Sequence, residues 1–200
     1  TKALNSWNPN SAAENIYDMT LYGNYVYFGG SFANMGGASR SRLASVDKVT
    51  GIATAWSPSP DADIYRLAAS TGRLFVAGGF QNIDGQTRSQ IAAFDVSGAS
   101  PVFLNSFDSG ATGCCVMYMS ASSTTLFVSG DFGQMGGVTM CATGAVDAVT
   151  GLGTAFDPIS RCYFGQIYSG DYTSRVYFGS GVFQPGKSRS SLGIMDPATG

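Results

Sequence analysis

Val26-Tyr27-Phe28-Gly29-Gly30-Ser31-Phe32 decides how the chain reads, because versions of it return three more times. The later copies are Leu74-Phe75-Val76-Ala77-Gly78-Gly79-Phe80, Leu126-Phe127-Val128-Ser129-Gly130-Asp131-Phe132 and Val176-Tyr177-Phe178-Gly179-Ser180-Gly181-Val182-Phe183. Their closing phenylalanines, Phe32, Phe80, Phe132 and Phe183, stand 48, 52 and 51 residues apart. Aromatic and β-branched residues in such a run favour extended, half-buried backbone. A glycine pair near its end marks a bulge, or a place where a neighbouring sheet approaches closely. The stretch is the second strand of a repeated unit, and the remaining sequence falls into register around it.

Upstream of each copy lies a first strand, at 16–21, 64–69, 116–121 and 166–170. Tight turns separate the two strands, Gly23-Asn24 in the first unit and Thr71-Gly72 in the second, where glycine or asparagine supplies positive φ. Downstream comes a polar loop with a recurring glycine and an arginine: Gly36-Gly37 with Arg40, Asp84-Gly85 with Arg88, and Gly186 with Arg189. The third unit has Gly136-Gly137 followed by Met140 and breaks the arginine pattern. A third strand follows at 43–46, 91–94, 143–146 and 192–195, closing each time on an aspartate, Asp47, Asp95, Asp147 or Asp196. Aspartate followed by Thr-Gly or Ser-Gly is turn chemistry: the carboxylate accepts backbone N–H groups and glycine takes the left-handed position. A fourth strand is expected at 52–56, ended by Pro58, which has no N–H for a ladder. In the second unit Pro101 is inserted and Phe107 takes the place of the tryptophan.

The chain is therefore all-β, with successive units at 16–63, 64–112, 113–161 and 162–200, and residues 1–15 as the outer strand of a blade. Trp7-Asn8-Pro9 matches Trp56-Ser57-Pro58 and Phe156-Asp157-Pro158, so the sequence is cut in the same repeat phase at both ends. Four short strands per unit at a period near 50 residues is the pattern of β-propeller blades. One blade cannot bury both of its faces, so blades must stack. Either the four units close a small ring, or they belong to a larger ring or repeat array completed by the same or another chain; the in-phase ends favour the second.

Composition narrows the function classes. Of 200 residues, 44% are apolar and only 12% charged, with 27 glycines, which suits a packed core under an uncharged polar surface. A net charge of -2 gives no electrostatic reason to expect nucleic acid or anionic membrane as a partner. No histidine occurs, so the commonest general base and transition-metal ligand are missing. No Ser or Cys has a histidine base and no Gly-x-Ser-x-Gly elbow is present. No apolar run approaches the roughly 18 residues of a membrane-spanning helix. An even count of four cysteines, with low charge, points to an extracellular or cell-surface location.

Candidate chemistry is sparse. The turn aspartates are placed by turn formation rather than as calcium ligands, since no second carboxylate accompanies them, and Asp61 with Asp63 supplies too few donors for a site. Arg40, Arg88 and Arg189 either line a rim or bind loop carbonyls within their own unit. Tyr17, Tyr65, Tyr118, Tyr163 and Tyr168 cluster around the first strands, as core residues or as a carbohydrate platform. Cys114, Cys115, Cys141 and Cys162 fall near one end of the fold and form the candidate disulfide set. A bond between the adjacent Cys114 and Cys115 is disfavoured, which directs each toward Cys141 or Cys162 with the partner left open. No cofactor and no metal site is expected.

The run hydrophobic-x-Gly-Gly-x-Phe, Gly-x-x-Arg, Leu-Ala-x-x-Asp-x-x-Thr-Gly and Trp-x-Pro resembles the delta-60-type β-propeller repeats of bacterial surface and secreted proteins, with kelch repeats as the close rival. The resemblance implies the propeller fold and says little of function. The expectation is a non-enzymatic extracellular module, a structural or adhesive building block whose partners are copies of itself or further blades. A glycan-binding propeller is the first alternative and a carboxylate-dependent glycoside hydrolase the second.

Overall fold

The computed structural model describes residues 7–10, 15–98, 100–140 and 142–156, and beyond these the strands at 166–170, 175–179, 183–184, 187–188 and 192–195. Every regular element among the described residues is a strand, and the strands form several antiparallel sheets. The first unit holds β1 (Ile16–Tyr22), β2 (Tyr25–Gly30), β3 (Asn34–Met35), β4 (Ala38–Ser39) and β5 (Leu43–Asp47). The second holds β6 (Ile64–Ser70), β7 (Arg73–Gly78), β8 (Asn82–Ile83), β9 (Gln86–Thr87), β10 (Ile91–Asp95) and β11 (Val102–Phe103). The third holds β12 (Thr112–Ala121), β13 (Thr125–Met135), β14 (Val138–Thr139) and β15 (Thr143–Asp147). The fourth holds β16 (Gln166–Gly170), β17 (Arg175–Gly179), β18 (Phe183–Gln184), β19 (Lys187–Ser188) and β20 (Leu192–Met195).

Within each unit the recurring glycine-ended strand is central, paired with the first strand on one side and the third on the other: β1-β2-β5, β6-β7-β10, β12-β13-β15 and β16-β17-β20. Between second and third strands the polar loop is itself a hairpin, β3-β4 and β8-β9, with β13 pairing β14 in the same way. Its tips are Gly36-Gly37, Asp84-Gly85 and Gly136-Gly137, and all six residues have positive φ between 54° and 79°. Two consecutive left-handed residues are what a tight two-residue hairpin turn requires.

The fourth strand is smaller than the sequence suggests. Among the described residues only the second sheet has a true one, β11 beside β10. In the first and third units it shrinks to single bridges, Val46 with Ala53 and Val146 with Gly153. The N–H groups of Ala53 and Gly153, which face away from the third strand in these bridges, donate to the carbonyls of Gly36 and Gly136, at 2.9 and 2.8 Å. The segment is thereby held between the third strand on one side and the small hairpin tip on the other.

The repeated glycines have two different reasons. At Gly30, Gly78 and Gly130 a Cβ would lie 2.1 Å from the carbonyl oxygen of Asn15, Asp63 and Cys115, at the start of the first strand of the same unit. The next N–H, of Ser31 or Gly79, donates to that same carbonyl of Asn15 or Asp63 at 3.0 Å. The preceding Gly29 faces outward to the next sheet, where a Cβ would meet Ile64 Cγ2 at 2.6 Å. Close approach from a neighbouring sheet explains Gly29, and a bulged contact inside the sheet explains Gly30, Gly78 and Gly130.

The sheets stack in chain order through their first strands: β1 packs on β6, β6 on β12 and β12 on β16. Each sheet thus has a forward face toward the next unit and a rear face toward the preceding one. Between the first two sheets, Tyr27 and Leu43 from the forward face meet Leu67, Leu74, Val76, Ala92 and Phe94 from the rear face of the second. Between the second and third, Phe75, Ala77, Ile91 and Ala93 meet Val116, Leu126, Val128 and Val146. Burial is nearly complete at both joints, and the core of the molecule is the space between its sheets.

Candidate functional site

The residues with the most distinctive chemistry sit at these joints. The Trp-x-Pro segment leaves one sheet and wedges against the next. Trp56 lies edge-on to Tyr27 of the first sheet and Phe94 of the second, with ring centroids 5.9 and 5.0 Å apart. Two residues on, the Pro58 carbonyl accepts the N–H of Asp84 at the following hairpin tip, at 2.6 Å. The other copies repeat the clasp: Pro9 accepts from Gly36 and Ser109 from Gly136, both at 2.5 Å. Phe107 and Phe156 stand where the tryptophan does, 5.3 Å from Phe75 and 5.2 Å from Phe127. Residues 7–10 therefore run against the first sheet's hairpin tip, while residues 1–6 and 11–14, which also belong to the expected outer strand, lie outside the described residues.

Polar side chains reinforce the joints at repeated positions. Asp18 Oδ2 accepts the N–H of Leu67 at 2.9 Å, and the Tyr22 hydroxyl accepts that of Gly72 at 2.6 Å. Arg66, one unit on from Asp18 in the ladder, donates from Nε to the Met117 carbonyl and lies 5.5 Å over the Tyr118 ring. Arg42 donates to the Pro60 carbonyl at 2.9 Å and pairs with Asp63 at 3.3 Å; the matching Gln90 donates to the Gly113 carbonyl at 2.6 Å. Arg42, Gln90 and Ala142 share a left-handed backbone, with φ of 63°, 63° and 68°, just before the third strand. Sequence reasoning passed over Asp18, Arg42, Arg66 and Gln90 because their residue types differ between units; only the repeat register identifies them as equivalent.

The arginines singled out from sequence occupy internal positions. Arg40 donates from Nε and Nη2 to the Thr54 carbonyl at 3.2 and 2.6 Å, and from Nη1 to Ser39 at 2.7 Å. Arg88 pairs with Asp108 at 2.6 Å, reaches the Asn105 carbonyl at 3.4 Å and lies 5.2 Å over Phe103. In the third unit Met140 is buried against Gly144, where a Cβ would collide with its Sδ; the first two units have alanine there, Ala44 and Ala92. Glycine at 144 makes the room that the buried methionine occupies. Arg189 lies outside the described residues.

The turn aspartates act locally. Asp47 Oδ1 accepts the N–H groups of Val49 and Thr50 at 2.9 and 2.8 Å and the Thr50 hydroxyl at 3.1 Å; Asp147 does the same with Val149 and Thr150. Asp95 takes the Ser97 hydroxyl and N–H at 2.6 and 2.8 Å. These bonds hold all three carboxyls below their usual range, led by the Thr50 and Thr150 N–H groups at Asp47 and Asp147 and by the Ser97 hydroxyl at Asp95. A lowered folded-state pKa contributes stability that is present above the unfolded value and lost as pH falls through the folded one. Unfolding stability is expected to decline below about pH 4, and Asp147→Asn should flatten that decline in urea titrations at successive pH values. An unchanged acid slope in the variant would remove the turn carboxylate as its source. Asp196 lies outside the described residues, and no group of three metal-ligating side chains occurs among the described ones.

The cysteines depart from expectation. Cys114 and Cys115 are joined to each other rather than directed to Cys141 or Cys162, and they lie inside β12 rather than ahead of it. The physical reason is a bulge: the ladder with β13 shifts register between Gly113 and Cys115, and Gly113 has φ of +118°. The alternation of a regular strand, which points neighbouring side chains to opposite faces, is interrupted there. Cys141 and Cys162 lie outside the described residues.

The tyrosines of the first strands form a partial row. Tyr17 and Tyr65 are each the extra residue of a bulge and meet with ring centroids 5.8 Å apart. Tyr118 carries Arg66 over its ring. Tyr168 lies on β16 at the position of Thr20 and Ala68 in the ladder, and Tyr163 lies outside the described residues. No helix among the described residues is long and apolar enough to cross a membrane. No protein-family model matches the chain, and no curated protein matches it.

Proposed function

We propose that this chain is a non-enzymatic β-propeller repeat module that serves as a structural or adhesive building block at the cell surface. The observation that supports the reading most directly is where the repeated side chains go. Trp56 and Phe107 are wedged in aromatic contacts at the joints, Asp47, Asp95 and Asp147 hold turns, and Arg40 and Arg88 bond within their own units. A repeat whose distinctive residues hold sheet to sheet is suited to building a long, cooperative object.

Removal of residues 64–112 tests this reading. The shortened chain must rejoin sheets whose contacts were each made through the second unit. Loss of a single cooperative urea transition is expected; a transition with unchanged midpoint and slope would show that the units do not depend on one another and would overturn the building-block reading.

One observation favours a second reading, a glycan-binding surface: Tyr17, Tyr65 and Tyr118 present rings along the first strands with Arg66 among them. Aromatic faces flanked by a fixed donor suit sugar rings. Arg40 and Arg88, which would have been the other half of such a site, are already bonded within their own units. Specific retention on a glycan array that is abolished by Tyr65→Ala would favour this reading over scaffolding.

A further inference from the structure

We infer that the Cys114–Cys115 disulfide is a thiol-exchange site: a low-molecular-mass thiol attacks Cys114, and the Cys115 thiol so released is taken up by Gln90 of the neighbouring sheet. The inference goes beyond the building-block reading and does not depend on it.

The repeat register places the pair at the joint between the second and third sheets. A Cβ at Gly78 would meet the Asp63 carbonyl oxygen, and one at Gly130 the Cys115 carbonyl oxygen, both at 2.1 Å, so Cys115 holds the position of Asp63. The N–H groups of Gly30 and Gly78 donate to the carbonyls of Arg42 and Gln90, so Gln90 holds the position of Arg42. At the first joint Arg42 crosses to Asp63 at 3.3 Å. At the second, Gln90 crosses to the residue beside the disulfide, its Nε2 donating to the Gly113 carbonyl at 2.6 Å. Gln90 is 5% exposed, and its Oε1 is buried with no hydrogen-bond partner among the described residues. An ion pair at one joint is thus replaced at the next by a disulfide and an unused acceptor. Such an acceptor costs free energy until a donor reaches it. A cysteine thiol is a donor, which a disulfide sulfur is not.

Access decides which sulfur is attacked. Cys114 is exposed. Cys115 is half-buried, sits with its carbonyl against Gly130 and leads directly into Val116, which is 1% exposed. A thiolate from solution therefore attacks Cys114 Sγ. The bond between the two cysteines breaks, a bond between Cys114 and the incoming sulfur forms, and Cys115 leaves with the electron pair and takes a proton from water. The incoming thiol is oxidised to one half of a mixed disulfide and Cys115 is reduced, so no further oxidant or reductant is needed. The Cys115 thiol then donates to Gln90 Oε1, which holds it back from attacking the mixed disulfide and reversing the exchange.

The test incubates the full chain with glutathione at mildly alkaline pH, quenches in acid, blocks free thiols with N-ethylmaleimide and maps the product by tandem mass spectrometry. The expected product carries glutathione on Cys114 and maleimide on Cys115. Glutathione on Cys115 with Cys114 blocked would overturn the inference, as would adducts confined to Cys141 or Cys162, or no adduct at any glutathione concentration. Gln90→Met keeps the bulk of the side chain and removes the acceptor. It should lower the trapped share of adduct about threefold, the equivalent of one net hydrogen bond. An undiminished share, in a variant whose circular dichroism spectrum matches the parent, would show that Gln90 does not hold Cys115. The mapping on the parent chain decides the site of attack even where that variant does not fold.

Discussion

Trp56→Ala is expected to destabilise the protein by about 3–5 kcal/mol, the usual cost of emptying a large aromatic site in a core. The indole is 8% exposed and lies edge-on to both Tyr27 of the first sheet and Phe94 of the second. Its removal opens a cavity between two sheets that cannot collapse freely, because the backbone on either side is tied by the Pro58 clasp and by Arg42 to Pro60. At this chain length the loss corresponds to a fall in melting temperature on the order of 10 °C. Trp56→Phe is the informative control. Phenylalanine already fills the equivalent wedge at 107 and 156, and Trp56 Nε1 is buried with no hydrogen-bond partner, so the smaller ring forfeits no bond. It should cost about 1–2 kcal/mol through lost volume alone. Equal losses for the two variants in urea or thermal unfolding would show that the site does not act as an aromatic wedge.

Gly78→Ala is expected to cost about 2–4 kcal/mol, in the range of substitutions that force backbone to move. The backbone here is not left-handed, so the cost comes from space rather than from φ. An added Cβ meets the Asp63 oxygen at 2.1 Å and the Ile64 Cα at 3.0 Å, both of them backbone atoms. Moving Asp63 away would strain its bond from the Gly79 N–H and its link to Arg42 across the first joint. Gly98→Ala, where a Cβ meets nothing within 4 Å, should stay within about 0.5 kcal/mol of the parent. If chemical denaturation finds the two variants alike, crowding by the first strand is not what requires glycine at position 78.

The contrast between these two sites shows which parts of the architecture were readable from the chain. The wedge was visible as a recurring aromatic before proline, and Phe107 was readable as its replacement because it stands at the same repeat position. The requirement for glycine was visible too, although sequence offered bulge and close approach as alternatives where the structure uses one at Gly30 and the other at Gly29. The small hairpins were passed over even though Gly36-Gly37 and Asp84-Gly85 are strong turn pairs, since two-residue strands carry too little pattern to register. The fourth strand was overestimated: its residues favour extension, but in the first and third units its pairing with the third strand stops at a single bridge, and its other side is taken up by the hairpin tip, which accepts the Ala53 or Gly153 N–H.

Sequence by itself determined the repeat, the strand order within a unit, the all-β class and the turns closed by Asp47, Asp95 and Asp147, because each of these is set by contacts a few residues apart that recur at a readable period. Only the tertiary structure decided which polar side chains cross from sheet to sheet, why Cys114 meets Cys115, and that Met19 and Leu21 face solvent where their counterparts are packed. Those outcomes depend on which sheet lies next to which and on where a bulge interrupts the alternation of a strand. Apolar character at a position says that a side chain can be buried, and the neighbouring sheet decides whether it is.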